Sequence, residues 1–231
     1  MRLCGVLFDL DDTLVDSTGV EARVWLDVVE VIAEHHPGID RVSLRKRYSG
    51  LLETHYAEAA AGRIDFHTFR RRRLADALSP WGEVDDELFA RYTAAKDPCI
   101  NDIRAAVGAI DTVRAVRATG VCVGVLTNGV SVEQRRKLEV AGLSGEVDVI
   151  AISGEIGAAK PDPAAFAAAL SLLGTEPEET AMVGDSLPND IEGARGAGLA
   201  RVVWLHPHSE PPAGVLTATS LAQVPALLGL V

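Results

Sequence analysis

Positive charge is scarce in this 231-residue chain. Lys and Arg number 22 against 33 Asp and Glu, a formal net charge of −11. Such a chain lacks the field that holds nucleic-acid backbones nonspecifically. It also lacks a basic face for anionic membranes, so neither nucleic acid nor membrane is expected as a partner. Cysteine is equally sparse. Cys4, Cys99 and Cys122 cannot close a disulfide set, and their spacing fits no zinc pattern. They read as reduced thiols of a cytoplasmic protein. No apolar run approaches the ~18 residues of a membrane span. The opening MRLCGVLFDLDD does not read as a signal peptide, because its apolar stretch is short and meets carboxylates at once. Hydrophobic residues at 48% and charged residues at 24% make wholesale disorder untenable. Small anionic or neutral ligands remain open.

What is present organises itself as strands and helices. Leu3–Leu7, Val121–Leu126 and Thr180–Val183 are short apolar runs of the kind buried in parallel sheets; Val147–Ile152 and Arg201–Leu205 are weaker candidates. Helical stretches separate the later strands. Ser131-Val-Glu-Gln134 has the form of a capping box and Gly142 that of a stop. Pro163–Leu173 and Pro188–Ala197 follow the same logic, closed by Gly174 and Gly198. The alternation predicts an α/β fold with a doubly wound, Rossmann-like parallel sheet.

One stretch breaks it. Val20, Val24, Val28 and Ile32 recur every four residues, as an amphipathic helix requires. Leu44–Ala61, Phe66–Leu78 and Asp86–Lys96 read as further helices. A crossover needs only one helix. Residues 17–97 are therefore expected to form an inserted all-helical subdomain, and residues 1–16 and 98–231 the α/β core.

Ligands in open α/β sheets bind beyond the carboxyl ends of the strands. Here the strand ends read Asp9-Leu-Asp11-Asp12, Thr127-Asn128-Gly129 and Gly184-Asp185-Ser186, with Asn189-Asp190 just beyond. After the Val147–Ile152 run comes Lys160-Pro161, carrying one of only four lysines. Two carboxylates at ~4 Å repel by roughly 4 kcal/mol at an effective dielectric near 20. Several converging carboxylates call for a cation, and oxygen donors alone suit magnesium. Lys160 and Thr127 could receive phosphate oxygens, and a carboxylate beside a phosphoryl group can act as a nucleophile.

Taken together, these segments resemble the four motifs of the haloacid dehalogenase superfamily, mainly its phosphatases. They are Val-Leu-Phe-Asp9-Leu-Asp11-Asp12-Thr13, Leu-Thr127-Asn128-Gly129, Lys160-Pro-Asp-Pro and Val-Gly184-Asp185-Ser-Leu-Pro-Asn189-Asp190, in the family's order. The helical insertion matches the family's cap between the first and second motifs. The resemblance implies a magnesium-dependent enzyme acting on a small-molecule phosphate ester. Asp9 would be the nucleophile and Asp11 the acid/base. Asp9, the backbone carbonyl of Asp11 and Asp185 would hold the metal, with Asp190 supporting its water shell or Lys160. Thr127, the Asn128 amide and Lys160 would bind phosphate, while Thr13 and Gly184 shape the loops.

The founding dehalogenases lack the second aspartate of the first motif, so Asp11 favours phosphate esters. Related mutases commonly carry Gly-Val where this chain has Asp12-Thr13, which favours hydrolysis over phosphoryl transfer. A phospho-acceptor signalling module is the competing non-enzymatic class, but such modules have no helical insertion. Hinges are expected near Val15–Thr18 and Asp97–Asn101. His67, Arg70 and Arg73 fall near one helical stripe and are expected to meet an anionic substrate tail. Phosphoglycolate, a sugar phosphate, an acyl-sugar phosphate or a nucleotide monophosphate would all fit these motifs.

Overall fold

The computed structural model describes residues 2–51, 55, 58, 59 and 63–230. Its strands are β1 (Gly5–Phe8), β2 (Cys122–Thr127), β3 (Val149–Ile152), β4 (Thr180–Gly184), β5 (Arg201–Leu205) and β6 (Leu216–Ala218). They form one parallel sheet in the order β3-β2-β1-β4-β5-β6. The chain builds outward from β1 in one direction, then returns and builds the other half from β4. This is the doubly wound arrangement expected from the alternation. Its switch point lies at the carboxyl end of β1, where ligands bind in such sheets. The first four strands end within a residue or two of their expected limits. β6 escapes sequence reading because Leu-Thr-Ala is too short and too polar to stand out as an apolar run.

Strand periodicity divides the core. Val6 and Phe8 point into a cluster containing Val113, Val116 and Leu138, while Leu7 between them points to Phe166, Leu170, Met182 and Trp204. Helices cover both faces: α5 (Ala109–Ala118), α6 (Ser131–Val140), α8 (Pro163–Leu173) and α10 (Val224–Leu227), with the short α7 (Ser153–Ile156) after β3. The helix expected over Pro188–Ala197 is instead a π-helical turn, Leu187–Glu192, running into α9 (Gly193–Gly196).

Between β1 and α5 lie α1 (Thr18–His35), α2 (Arg41–Gly50), α3 (Phe66–Leu78) and α4 (Asp86–Lys96). Three of these begin at an aspartate whose side chain accepts backbone N–H groups: Asp40 for α2, Asp65 for α3 and Asp85 for α4. Their apolar faces meet in a third cluster of Val28, Ile32, Leu44, Leu74, Leu88 and Tyr92. The latter part of the helix expected over Leu44–Ala61 lies largely outside the described residues. The chain leaves and rejoins the sheet side by side. Val15 bridges both Asp11 and Ala105, Ala106 N donates to Leu14 O at 2.8 Å, and Asp16 N donates to Arg104 O at 3.2 Å. No helix among the described residues is long and apolar enough to cross a membrane.

Phe166 is fully buried beneath the sheet. Phe166→Ala is expected to lose about 3–5 kcal/mol of unfolding free energy in urea titration. A loss below about 1 kcal/mol would contradict the close packing of that face.

Candidate active site

The register of the sheet assembles the site. Phe8 lies beside Val125 on β2 and Val183 on β4, so the residues that follow all three strands emerge at one level. Asp9 N continues the ladder to Val183 O at 2.9 Å, which fixes the direction of its carboxylate. Asp12 takes a left-handed conformation with φ of 57°, which Asp tolerates better than most residues. That turn carries Asp11 and Thr13 around the same opening, and Asp12 Oδ1 accepts from Ser17 N at 3.0 Å.

The ammonium of Lys160 sits 2.6 Å from Asp9 Oδ1 and 2.6 Å from Asp190 Oδ1. All three groups are buried. Asn128 clamps the main chain of this lysine: its Nδ2 donates to Lys160 O and its Oδ1 accepts from Lys160 N, both at 2.8 Å. The second oxygen of Asp190 accepts from Ser186 N at 3.0 Å. It lies so close to Gly184 that a Cβ there would come within 2.2 Å of it, which requires glycine. Thr13 Oγ1 reaches Asp185 Oδ1 at 3.5 Å, and the buried indole of Trp204 donates to Asp185 O at 2.8 Å.

Asp11 is held by groups that sequence reading missed. Lys137 Nζ donates to its Oδ1 at 2.6 Å, and the Ser17 hydroxyl donates to the same oxygen. Gln134 Nε2 donates both to Asp11 Oδ2 at 2.8 Å and to Thr127 Oγ1 at 2.6 Å. The expected capping box at Ser131 does not form. α6 begins after Val130 without a side-chain cap, the Ser131 hydroxyl donates to Glu155, and Gln134 turns inward. Gln134 and Lys137 lie three residues apart on α6, hence on one face. That spacing was the available signal.

Oxygen atoms of Asp9, Asp185 and Asp190 lie within 4.8 Å of one another. Against them stands the single ammonium of Lys160, so full ionisation leaves two uncompensated negative charges. Burial, opposed by Lys160, pushes Asp9 up to about 8. Burial and the charges of Asp190 and Asp12 push Asp185 up to about 6. Burial would raise Asp11 too, but the charge and hydrogen bond of Lys137, with those of Ser17 and Gln134, hold it below the usual carboxylate range. Lys160 would be lowered by burial, yet Asp190 and Asp9 keep it charged. An oxygen-only cluster with two charges to spare fits a hard divalent cation.

Asp9, Asp11, Thr13, Thr127, Asn128, Lys160, Gly184, Asp185 and Asp190 therefore gather at one place. The stripe expected from α3 does not gather with them. Arg73 lies over the Tyr48 ring, 3.8 Å from its centroid, and its Nε donates to Tyr48 O. His67 sets its ring edge-on to Phe89 at 4.7 Å. Arg70 is in ion pairs with Asp97 at 2.5 Å and with Glu133. Packing against aromatic rings and pairing with acids account for these positions. Only Arg70 borders the cavity of about 410 Å3 that opens beside Ser17 and Lys137.

Two outcomes follow from the electrostatics. Gln134→Leu keeps the bulk but removes a donor shared by the half-buried Asp11 carboxylate and the buried Thr127 hydroxyl, and is expected to lower unfolding free energy by about 1–3 kcal/mol in urea. An unchanged midpoint would mean the carboxamide is dispensable. Between about pH 4 and pH 8 the folded chain holds a proton on Asp9 that the unfolded chain has released. Stability contributed by that proton is present at acid pH and is lost as pH rises toward 8. The Tm of metal-free protein is therefore expected to fall across this window, and magnesium to raise it more near pH 8 than near pH 5. An equal magnesium effect at both ends would count against the cluster as the cation site.

The model of the haloacid dehalogenase-like hydrolases matches residues 5–198. A phosphoserine phosphatase from Thermus thermophilus is 49% identical over 89 residues, which cover 38% of this chain and only 35% of that relative. A glyceraldehyde 3-phosphate phosphatase from Methanopyrus kandleri is 32% identical over 85% of this chain and 82% of its own length. A hydrolase from Deinococcus radiodurans, solved with bound phosphate and sodium, superimposes with a TM-score of 0.70 at 26% identity, covering 100% of this chain and 98% of that one. The chain belongs to the haloacid dehalogenase-like hydrolases.

Proposed function

We propose that this hydrolase cleaves small-molecule phosphate monoesters with the help of magnesium, through an aspartyl-phosphate on Asp9. The observation that carries the reading is the buried Lys160 ammonium 2.6 Å from Asp9 Oδ1, with Asp11 and Thr127 joined beside it through Gln134. A carboxylate oxygen of Asp9 attacks phosphorus in line with the ester oxygen. The P–O ester bond breaks, and Asp11, which takes up a proton as the negatively charged phosphate binds beside it, passes that proton to the departing oxygen. Lys137 then stabilises the anion that Asp11 has become. Water attacks the phosphorus of the aspartyl-phosphate, Asp11 takes its proton, and the bond to Asp9 breaks to release inorganic phosphate.

The Thr127 hydroxyl accepts from Gln134, which leaves its own proton for a phosphate oxygen. Lys160 and the Asn128 amide serve the remaining equatorial oxygens, where transition-state charge collects. Asp9, the backbone carbonyl of Asp11 and Asp185 would hold magnesium, with Asp190 and Thr13 orienting the set. When bound, the ion offsets the negative charge shared by the carboxylates and the phosphoryl group. Residues 17–97 act as a cap on the core of residues 1–16 and 98–231, excluding water from the reacting phosphate. The free thiols Cys4 and Cys122 are exposed, which suits the reducing cytoplasm.

Phosphate release from a panel of small monoesters, with and without magnesium, tests this. Asp9→Asn is expected to reduce turnover by roughly a thousandfold or more. Asp11→Asn is expected to slow alkyl phosphates by about 10²–10⁴-fold and p-nitrophenyl phosphate much less, because a phenolate needs no acid to leave. Wild-type rates in Asp9→Asn, or no turnover alongside a long-lived phosphoprotein, would overturn the reading.

A further inference from the structure

The cavity of about 410 Å3 is lined by chemically different groups. Ser17 and Lys137 border it, both bonded to Asp11. Much of its wall is apolar, with Val20, Val24 and Val28 repeating every four residues along α1, and the ion-paired Arg70, Asp97 and Glu133 border it too. Tyr48, Tyr92 and Lys96 complete the lining on the side of the inserted helices. There the two phenols meet at 2.5 Å and both rings are buried. Lys96 Nζ stands 3.4 Å from the Tyr48 hydroxyl and 5.8 Å from the centre of its ring.

The other cationic residues bordering the cavity are matched by carboxylates. Lys137 pairs with Asp11, Arg70 with Asp97 and Glu133, and Arg136 with Glu139. Lys96 is different: among the described residues no carboxylate ion-pairs with it, and its hydrogen-bond partner is the Tyr48 hydroxyl. An ammonium without an anionic partner, bordering a mostly apolar chamber, is a receptor for an anionic group.

We propose that the cavity selects phosphate monoesters of alcohols with a short apolar body ending in a carboxylate, which is received by Lys96 and the Tyr48 hydroxyl. The assignment rests on the phosphatase reading, since the phosphate must lie at Asp9 for the body of the substrate to enter here. It narrows the possible substrates toward phosphorylated hydroxy acids.

The test uses three alkyl phosphates of matched length, ending in carboxylate, methyl or ammonium, with p-nitrophenyl phosphate as an activity reference. The wild-type enzyme is expected to favour the carboxylate over the methyl ester by about tenfold in kcat/KM, carried by KM, and to disfavour the ammonium ester. Lys96→Met is expected to bring the carboxylate-to-methyl ratio close to one, and Lys96→Arg to keep it above one. Equal kcat/KM for the carboxylate and methyl esters, or a preference that survives Lys96→Met, overturns the assignment while leaving the phosphatase reading intact. No turnover of any of the four esters overturns the phosphatase reading and the assignment with it.

Discussion

The buried ammonium of Lys160 is the interaction on which the site depends. Removing an ammonium from water costs several kcal/mol unless oppositely charged partners stand close and well oriented. Here they stand on two sides, Asp9 after β1 and Asp190 in the π-helical turn after β4. The lysine itself comes from the loop beyond β3, and Asn128 after β2 holds its main chain. Four strand ends are thus tied to one positive charge. Much of the remaining local architecture serves that tie, including the absence of a side chain at Gly184, where a Cβ would displace Asp190.

A second consequence is electrostatic imbalance. One lysine cannot neutralise three neighbouring carboxylates; burial raises Asp9 and Asp185, and the charge of Asp190 raises both further. Asp11 lies two residues from Asp9 yet behaves oppositely, because the charge of Lys137 and the hydrogen bonds of Lys137, Ser17 and Gln134 outweigh its burial. Two aspartates of one short loop therefore have different proton affinities for a simple reason. Each faces a different lysine and a different set of hydrogen-bond donors.

Much of this was legible in the sequence. Asp9, Thr127, Lys160 and Asp185 could be placed because a parallel strand announces itself as an apolar run and the chemistry follows its end. The helical insertion was legible as a four-residue periodicity where strands should have been. The orienting residues were not. Gln134 stands three positions after Ser131, a spacing that satisfies a helix cap and an inward hydrogen bond equally well, and only tertiary packing chose the second. Arg70 and Arg73 share a helix with His67, but a helical stripe says nothing of what it faces. The ring of Tyr48 and the carboxylates of Asp97 and Glu133 come from other elements and claimed those side chains first. β6 was too short to rise above its surroundings.

The segments that carry the chain out of the sheet and back into it are hydrogen-bonded to each other through Val15, Leu14, Asp16, Arg104 and Ala106. The ends of the helical segment are therefore held together by the core itself. The entropy of closing so long a loop grows only with the logarithm of its length, and here that clasp already offsets part of it. Lengthening or shortening the segment between these ends therefore adds little closure entropy for the sheet to offset. The junction is thus a place where a segment of another length can be grafted while the sheet keeps its own closure.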